Sequence, residues 1–424
     1  MTQFAPHLKR VYWESTAGCN LRCIHCRRLD VLDKPDPDEL TTAQAKALID
    51  EVAAFGRPVF IFSGGEPLVR QDIFELAAYA KKKGLPIALA TNGTLVDQAM
   101  ARRIKEAGIS YASVSLDGSQ AATHDKFRGA GAFAKALEGL RYMQEGGIKV
   151  QVNFTMTKMN VQDVPAVYEL TRESKAIALF LFLLVPVGCG VQIADDQMPS
   201  GDEVESWLKW IVKKDHEGPL PLKAICAPHY YRVESELSFS RCEAQTLPSP
   251  VRRMGEGEGE GAAVPSSQPS PDAMVGRRSI DPSGGRGSDR KGCLAGLHMC
   301  FVTHKGDVYP CGYLPRSAGS VRKQPFREIW NDSGLFKSLR DSSLLTGRCG
   351  ACDYKDVCGG CRARGYYAYG NVLAEEPYCV YTPGSHVPLP SRERTEVRDG
   401  VVPSTEGNHP SSPPSPLKGE GVRL

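Results

Sequence analysis

No stretch of this 424-residue chain is long and apolar enough to cross a bilayer. The longest such run, Ala176 to Val187, falls short of the roughly 20 residues a spanning helix needs. Strong charge of either sign is also missing: 52 basic against 49 acidic side chains leave a net charge of +3, so no basic field points to a nucleic acid. The opening residues Met-Thr-Gln-Phe-Ala-Pro-His-Leu-Lys-Arg lack the apolar centre of a secretory signal. With 41% apolar and 24% charged residues the composition is that of an ordinary soluble chain, and its length suits two domains. These absences predict a cytoplasmic protein without stable membrane insertion and without a nucleic-acid partner. What the chain does have is 14 cysteines. In a reducing compartment they are expected to sit on metal rather than in disulfides.

From residue 11 to about 215 the sequence alternates between short β-branched or aromatic runs and amphipathic stretches of helical length. The runs predict strands at Val11–Glu14, Val59–Phe62, Ile87–Ala90, Tyr111–Leu116, Val150–Thr155 and Leu179–Val185. Helices are expected at Thr42–Phe55, Asp72–Lys83, Val96–Ala107, Phe133–Gln144 and Val164–Glu173, with Gly56, Gly84, Gly108 and Gly146 where helices end. Six βα units with short connections make an α/β fold, a parallel sheet curving into a partial (βα)6 barrel. Such barrels gather ligands at the C-terminal strand ends.

The first strand runs straight into Gly18-Cys19-Asn-Leu-Arg-Cys23-Ile-His-Cys26. A Cys-x3-Cys-x2-Cys loop offers three thiolates to a cluster that wants four ligands, leaving one iron open to a non-protein ligand. A zinc loop is the bland reading, but zinc sites usually come as paired Cys-x2-Cys knuckles, and only His25 and His7 lie nearby. The motif resembles that of the radical S-adenosylmethionine (SAM) superfamily. That resemblance implies a [4Fe–4S] cluster on Cys19, Cys23 and Cys26, with SAM on the open iron. Gly64, Gly65 and Glu66 after the second strand resemble the segment holding the SAM amino group. Asn92 and Ser115 with Asp117, after the third and fourth strands, resemble the family's contacts to methionine and ribose. Turn-forming Asn-Gly and Asp-Gly pairs would read the same locally.

A second set of cysteines is Cys293, Cys300, Cys311, Cys349, Cys352, Cys358, Cys361 and Cys379, with Gly306 ahead of Cys311. This arrangement resembles the SPASM extension of radical SAM enzymes and implies one or two auxiliary [4Fe–4S] clusters. By that resemblance Cys293, Cys300, Cys311 and Cys361 hold one, and Cys349, Cys352, Cys358 and Cys379 the other. Two residues separate Cys358 from Cys361 where the common pattern has three, which leaves the sorting and number of clusters open. Structural zinc on the Cys349–Cys361 knuckles is the alternative.

The implied organisation is a barrel over 1–215, a connecting segment with substrate contacts over 216–246, and a SPASM-like domain over 292–383. Residues 247–291 and the tail 384–424 are rich in Pro, Ser and Gly and too poor in large apolar residues to fold. Related wording in the two, Pro248-Ser-Pro-Val-Arg-Arg-Met-Gly-Glu-Gly and Pro414-Ser-Pro-Leu-Lys-Gly-Glu-Gly, suggests one repetitive element read into the frame. A flexible linker with a binding role is the alternative; lost activity on deleting 247–290 would favour it.

Runs around Cys189, Cys226, Cys293, Cys311, Cys361 and Cys379 are similar to those of SAM-dependent heme synthases of the siroheme-based pathway. The similarity extends from about Val11 to Pro383. It implies oxidative decarboxylation of two propionates of iron-coproporphyrin III to vinyl groups, giving protoheme. It also implies a low-potential electron donor such as a ferredoxin or flavodoxin. Arg232, Arg362 and Arg364 are the candidate cations for propionates, and His229 and Cys226 the candidates to approach iron or a carboxylate. Sibling enzymes that remove acetate groups from didecarboxysiroheme, or act toward heme d1, are alternatives. So is a peptide maturase, although many of those carry a recognition domain ahead of the cluster loop. A multi-cluster electron carrier would need no Gly64-Gly65-Glu66 turn.

Overall fold

The computed structural model describes residues 7–28, 33–245 and 292–384. The low-complexity stretch 247–291 expected above and nearly all of the tail 384–424 lie outside the described residues.

Ten strands form one sheet: β1 Arg10–Glu14, β2 Val59–Ser63, β3 Ile87–Thr91, β4 Tyr111–Ser115, β5 Lys149–Met156, β6 Leu179–Leu183, β7 Leu222–Ile225, β8 Met299–Val302, β9 Asp307–Tyr309 and β10 Gly319–Ser320. Their spatial order is β10-β9-β8-β1-β2-β3-β4-β5-β6-β7. β1 to β7 run parallel, each joined to the next through helices, as the alternating pattern requires. The helix Thr42–Phe55 begins where Thr41 and Gln44 cap each other's backbone and stops at Gly56. Its Ala45, Leu48, Ile49 and Val52 face the sheet and are buried. The core between sheet and helices is aromatic at its centre, where Trp13 packs edge-on against Phe62 and beside Phe60.

The sheet does not stop at six strands. Residues 222–225 add β7 to the edge of β6, so part of the segment read as a connection belongs to the sheet. On the opposite side β8, from the cysteine-rich region, lies parallel to β1, with Cys300 opposite Val11. An antiparallel hairpin then carries the sheet outward through β9 and β10. The cysteine-rich region is therefore bonded to the barrel's first strand along four residue pairs, Arg10↔Met299 to Trp13↔Val302. No helix among the described residues is long and apolar enough to cross a membrane.

Candidate active site

The C-terminal ends of the parallel strands meet in an open cavity of about 170 Å³. Cys19, Cys23 and Cys26 line it, together with Gly65, Asn92 and Ser115. The cysteine loop leaves β1 directly, and it is locked to the Gly64-Gly65-Glu66 turn by two backbone hydrogen bonds. Gly65 N donates to Thr16 O and Glu66 N to Gly18 O, each at 2.8 Å. This close approach explains the glycine: a Cβ on Gly65 would stand 2.3 Å from Gly18 O. The thiols fit an iron–sulfur cluster. Burial pushes Cys19 up to about 12 and Cys23 up to about 11, so neither ionises readily without a metal. Leu21 N donates to Cys19 Sγ, and Arg128 Nη1 lies 3.8 Å from Cys23 Sγ, both favouring sulfur charge.

Three expected SAM contacts, Gly64, Glu66 and Asp117, are not on the cavity wall. The Glu66 side chain is fully buried and spent on the protein itself. It accepts from Leu68 N, Thr91 Oγ1 and Asn92 N, which ties the turn to the end of β3. Burial raises it to about 7 against those three donors. Asp117 is equally buried, bonded to Arg128 Nε at 2.6 Å and His25 Nε2 at 3.2 Å, and it accepts from Thr155 N. Desolvation opposes its charge, but the Arg128 and His25 contacts win and hold its carboxyl well below the usual range. Asp117 thus positions Arg128 and His25, which do line the cavity and which motif spacing did not bring forward. The His-Cys pair inside the cysteine motif was the available signal for His25. Asn92 is in place: it receives Thr94 and reaches Asn20 of the cluster loop.

Arg27 and Arg28 also line the cavity. Both contact the one carboxylate of Glu14, at 2.6 and 2.7 Å, and His304 from the cysteine-rich region shares it at 2.7 Å. Arg27 also lies over the Phe301 ring, 4.3 Å from its centre. Phe182, Leu184, Val185 and Tyr313 supply an apolar wall.

The second cysteine set separates into two groups, and not quite as the resemblance sorted them. Cys349, Cys352, Cys358 and Cys379 line one pocket, as expected for a shared cluster. Backbone N–H groups of Glu376, Tyr354 and Gly360 donate to the sulfurs of Cys349, Cys352 and Cys358 at 3.3–3.4 Å. Thiolates on a metal want such donors. Cys293, Cys311 and Cys361 form the other group, but Cys300 is not with them. Its side chain is fully buried on the helix-facing side of β8, level with Val11, in the main core.

All five proposed substrate residues lie at these two groups instead of on the cavity. Cys226 packs with Cys311 and Cys361. His229 and Arg232 line the pocket of Cys349, Cys352, Cys358 and Cys379. Arg232 is also paired with Glu205 and Glu236. Arg362 is buried, donates to Ala374 O and stands beside Cys349, whose thiolate it favours. Arg364 is fully buried and grips both oxygens of Glu376 at 2.9 Å. Charge near an aromatic-rich stretch was read as ligand binding; the folded chain spends it on buried carboxylates, carbonyls and sulfurs.

Residues 13–171 match the Radical SAM superfamily, and residues 293–362 the iron-sulfur cluster-binding SPASM domain. The AdoMet-dependent heme synthase of Methanosarcina barkeri is 43% identical over 90% of this chain and 98% of its own. The chain belongs to the radical SAM superfamily. It is a radical SAM enzyme that holds a [4Fe–4S] cluster and SAM in its barrel and auxiliary iron–sulfur chemistry in its SPASM domain. The Fe-coproporphyrin III synthase of the same organism is 36% identical over 90% of each chain. Among solved structures, Streptococcus suis SuiB bound to S-adenosylmethionine shares the fold. Its TM-score is 0.62 at 16% identity, covering 89% of this chain and 78% of that one.

Proposed function

We propose that this radical SAM enzyme is a heme synthase, converting two propionates of iron-coproporphyrin III to vinyl groups in the cytoplasm. The observation that carries the reading is the 43% identity to a heme synthase across 98% of that protein's length. When bound, the reduced cluster and SAM supply a 5′-deoxyadenosyl radical able to take an unactivated hydrogen. The residues of this chain do the rest. Cys19, Cys23 and Cys26 would hold the cluster, and the Gly65 backbone, Asn92 and Ser115 the SAM. Glu66 and Asp117 act one step back, fixing the turn and Arg128.

Arg27 and Arg28 take over the propionate role first given to Arg232, Arg362 and Arg364. Both guanidiniums stand on the cavity wall beside the Glu14 carboxylate, and the planar fork of each suits a substrate carboxylate there. The apolar wall of Phe182, Leu184 and Val185 suits a flat macrocycle and keeps water from the radical. Removing CO2 from a propionate radical requires one further electron to leave, and the auxiliary domain gives it a place to go. A low-potential ferredoxin or flavodoxin would return electrons to the barrel cluster.

The test is anaerobic: reconstituted enzyme, dithionite, SAM and iron-coproporphyrin III, with products weighed by mass spectrometry. Loss of two formic acid equivalents with matching 5′-deoxyadenosine is expected. An unchanged porphyrin, with acetate groups lost from didecarboxysiroheme instead, would overturn this reading in favour of the sibling activity.

A further inference from the structure

Among the described residues, Tyr313 is the one side chain from the cysteine-rich region on the wall of the barrel cavity. It belongs to the turn Cys311–Leu314, which Leu314 N closes by donating to Cys311 O at 3.2 Å. The ring packs with the small apolar cluster of Val185 and Leu314. The hydroxyl donates to no acceptor among the described residues and is not sealed inside the protein. A phenol with its apolar end buried and its polar end open is suited to a ligand. We propose that Tyr313 binds the reacting propionate, its hydroxyl donating to the same carboxylate that Arg27 faces. The assignment rests on the heme synthase reading and names the residue through which the SPASM region touches the substrate.

The packing around the turn sets the phenol beside Arg27. Gly312 precedes Tyr313, and a Cβ there would stand 3.2 Å from Phe301 Cδ2 and 3.7 Å from Arg27 Cδ. The turn therefore lies against both side chains, an approach that a glycine allows. Phe301 carries the Arg27 guanidinium 4.3 Å from its ring centre, and Glu14 fixes Arg27 Nη2 at 2.6 Å. Arg27 is thus held by a ring from β8 and a carboxylate from β1, and its position does not depend on a ligand. Tyr313 lies within electrostatic reach of this guanidinium and of Cys26 in the cluster loop.

The two donors complement each other chemically. A carboxylate offers two oxygens and more lone pairs than one guanidinium uses. Arg27 supplies the charge, and the phenol adds a short charge-assisted bond without a second cation to desolvate. Its ring meanwhile continues the apolar wall of Phe182, Leu184 and Val185, against which a macrocycle can lie. A vinyl group accepts neither bond. The pair therefore favours the side chain before reaction over the side chain after it, which helps a finished position leave the site.

The test is equilibrium binding and needs no turnover. Full-length protein, reconstituted anaerobically, would be titrated with iron-coproporphyrin III and separately with protoheme, following the porphyrin absorption. Tyr313→Phe removes one oxygen and keeps the packed ring. It should weaken iron-coproporphyrin III binding about 10- to 100-fold, the loss expected for one hydrogen bond to a charged group. Protoheme, whose two reacting propionates are already vinyls, should bind the variant nearly as it binds the wild type. Equal weakening of both ligands would report a general change in packing and overturn the proposal, as would unchanged binding of both. Wild-type protein that binds didecarboxysiroheme but not iron-coproporphyrin III would overturn the heme synthase reading itself, and this assignment with it.

Discussion

Arg364 offers the sharpest separation between a substrate cation and a structural one. Its side chain is 0% exposed and that of Glu376 1%, and the two meet in a bidentate pair with both N···O distances at 2.9 Å. Glu376 also accepts from Cys361 N and Tyr378 N, and Arg364 donates to Cys226 O. Replacing Arg364 with Met removes the only full positive charge that contacts the buried Glu376 carboxylate among the described residues. Breaking a buried pair this way costs about 3–5 kcal/mol, because the abandoned charge stays desolvated. The carboxyl of Glu376, held down by Arg364 in the wild type, should then rise and take a proton. Adding Glu376→Gln removes the stranded charge while keeping an acceptor, so the double variant should recover part of the loss. Arg364→Lys should not substitute, since one ammonium cannot span both oxygens. The assay is anaerobic unfolding of the reconstituted enzyme in urea, followed by circular dichroism, with iron content measured in parallel. A midpoint unmoved in Arg364→Met, with KM for the tetrapyrrole selectively raised, would refute the structural role.

Other predictions follow from the same geometry. Gly65→Ala should abolish SAM binding, measured by equilibrium dialysis, because its Cβ would meet Gly18 O at 2.3 Å and displace the cluster loop. Ser in place of Cys19, Cys23 or Cys26 should abolish 5′-deoxyadenosine formation. Cys352→Ser should leave some SAM cleavage but stop product formation, as chromatography of both products would reveal. Glu66 sets a pH dependence of known sign. Its carboxyl is raised from 4.5 to about 7, so the folded state holds the proton more tightly than the unfolded chain. Its contribution to stability is full below about 4.5 and falls as pH rises through 7. Glu14, Asp117 and Glu376 are lowered, so theirs is full above the ordinary carboxylate range and lost only on acidification. Glu66→Gln should flatten the urea midpoint between pH 4.5 and 7 without altering the acid limb.

Local order in this chain is legible in its sequence. The helix Thr42–Phe55 has the bounds expected from its periodicity because a capping pair and a glycine mark both ends. All six expected strands are present within two residues of their expected ends. What escaped is non-local. β7 spans only Leu-Lys-Ala-Ile, too short for a periodic signal, and becomes a strand because β6 offers it an edge. β8 pairs with β1 across more than 280 residues, and nothing within either strand announces the other. In the barrel loop spacing alone brings the three thiols of Cys19, Cys23 and Cys26 onto one cavity. In the auxiliary region spacing could count thiols but not see which face of a strand Cys300 occupies. Buried arginines misled for a related reason: sequence shows a charge, and only the fold shows the carboxylate that consumes it.

The pairing of β8 with β1 also bears on why cluster loop and auxiliary domain act together. Glu14 ends β1, and it is the residue on which Arg27, Arg28 and His304 converge. Two of these partners belong to the cluster loop and the third to the turn after β8. One carboxylate therefore registers the barrel's cluster loop against the SPASM region, and the β1–β8 ladder fixes the distance over which it must do so. Replacing Glu14 with Gln would leave three cationic or donor groups around a neutral amide. The expected result is a loosened loop: SAM cleavage uncoupled from product formation, with 5′-deoxyadenosine exceeding vinyl groups formed. His304→Phe should uncouple less, since the two arginines keep their carboxylate. A tight one-to-one ratio retained in Glu14→Gln, read by chromatography of both products, would show that the sheet alone holds the two halves in register.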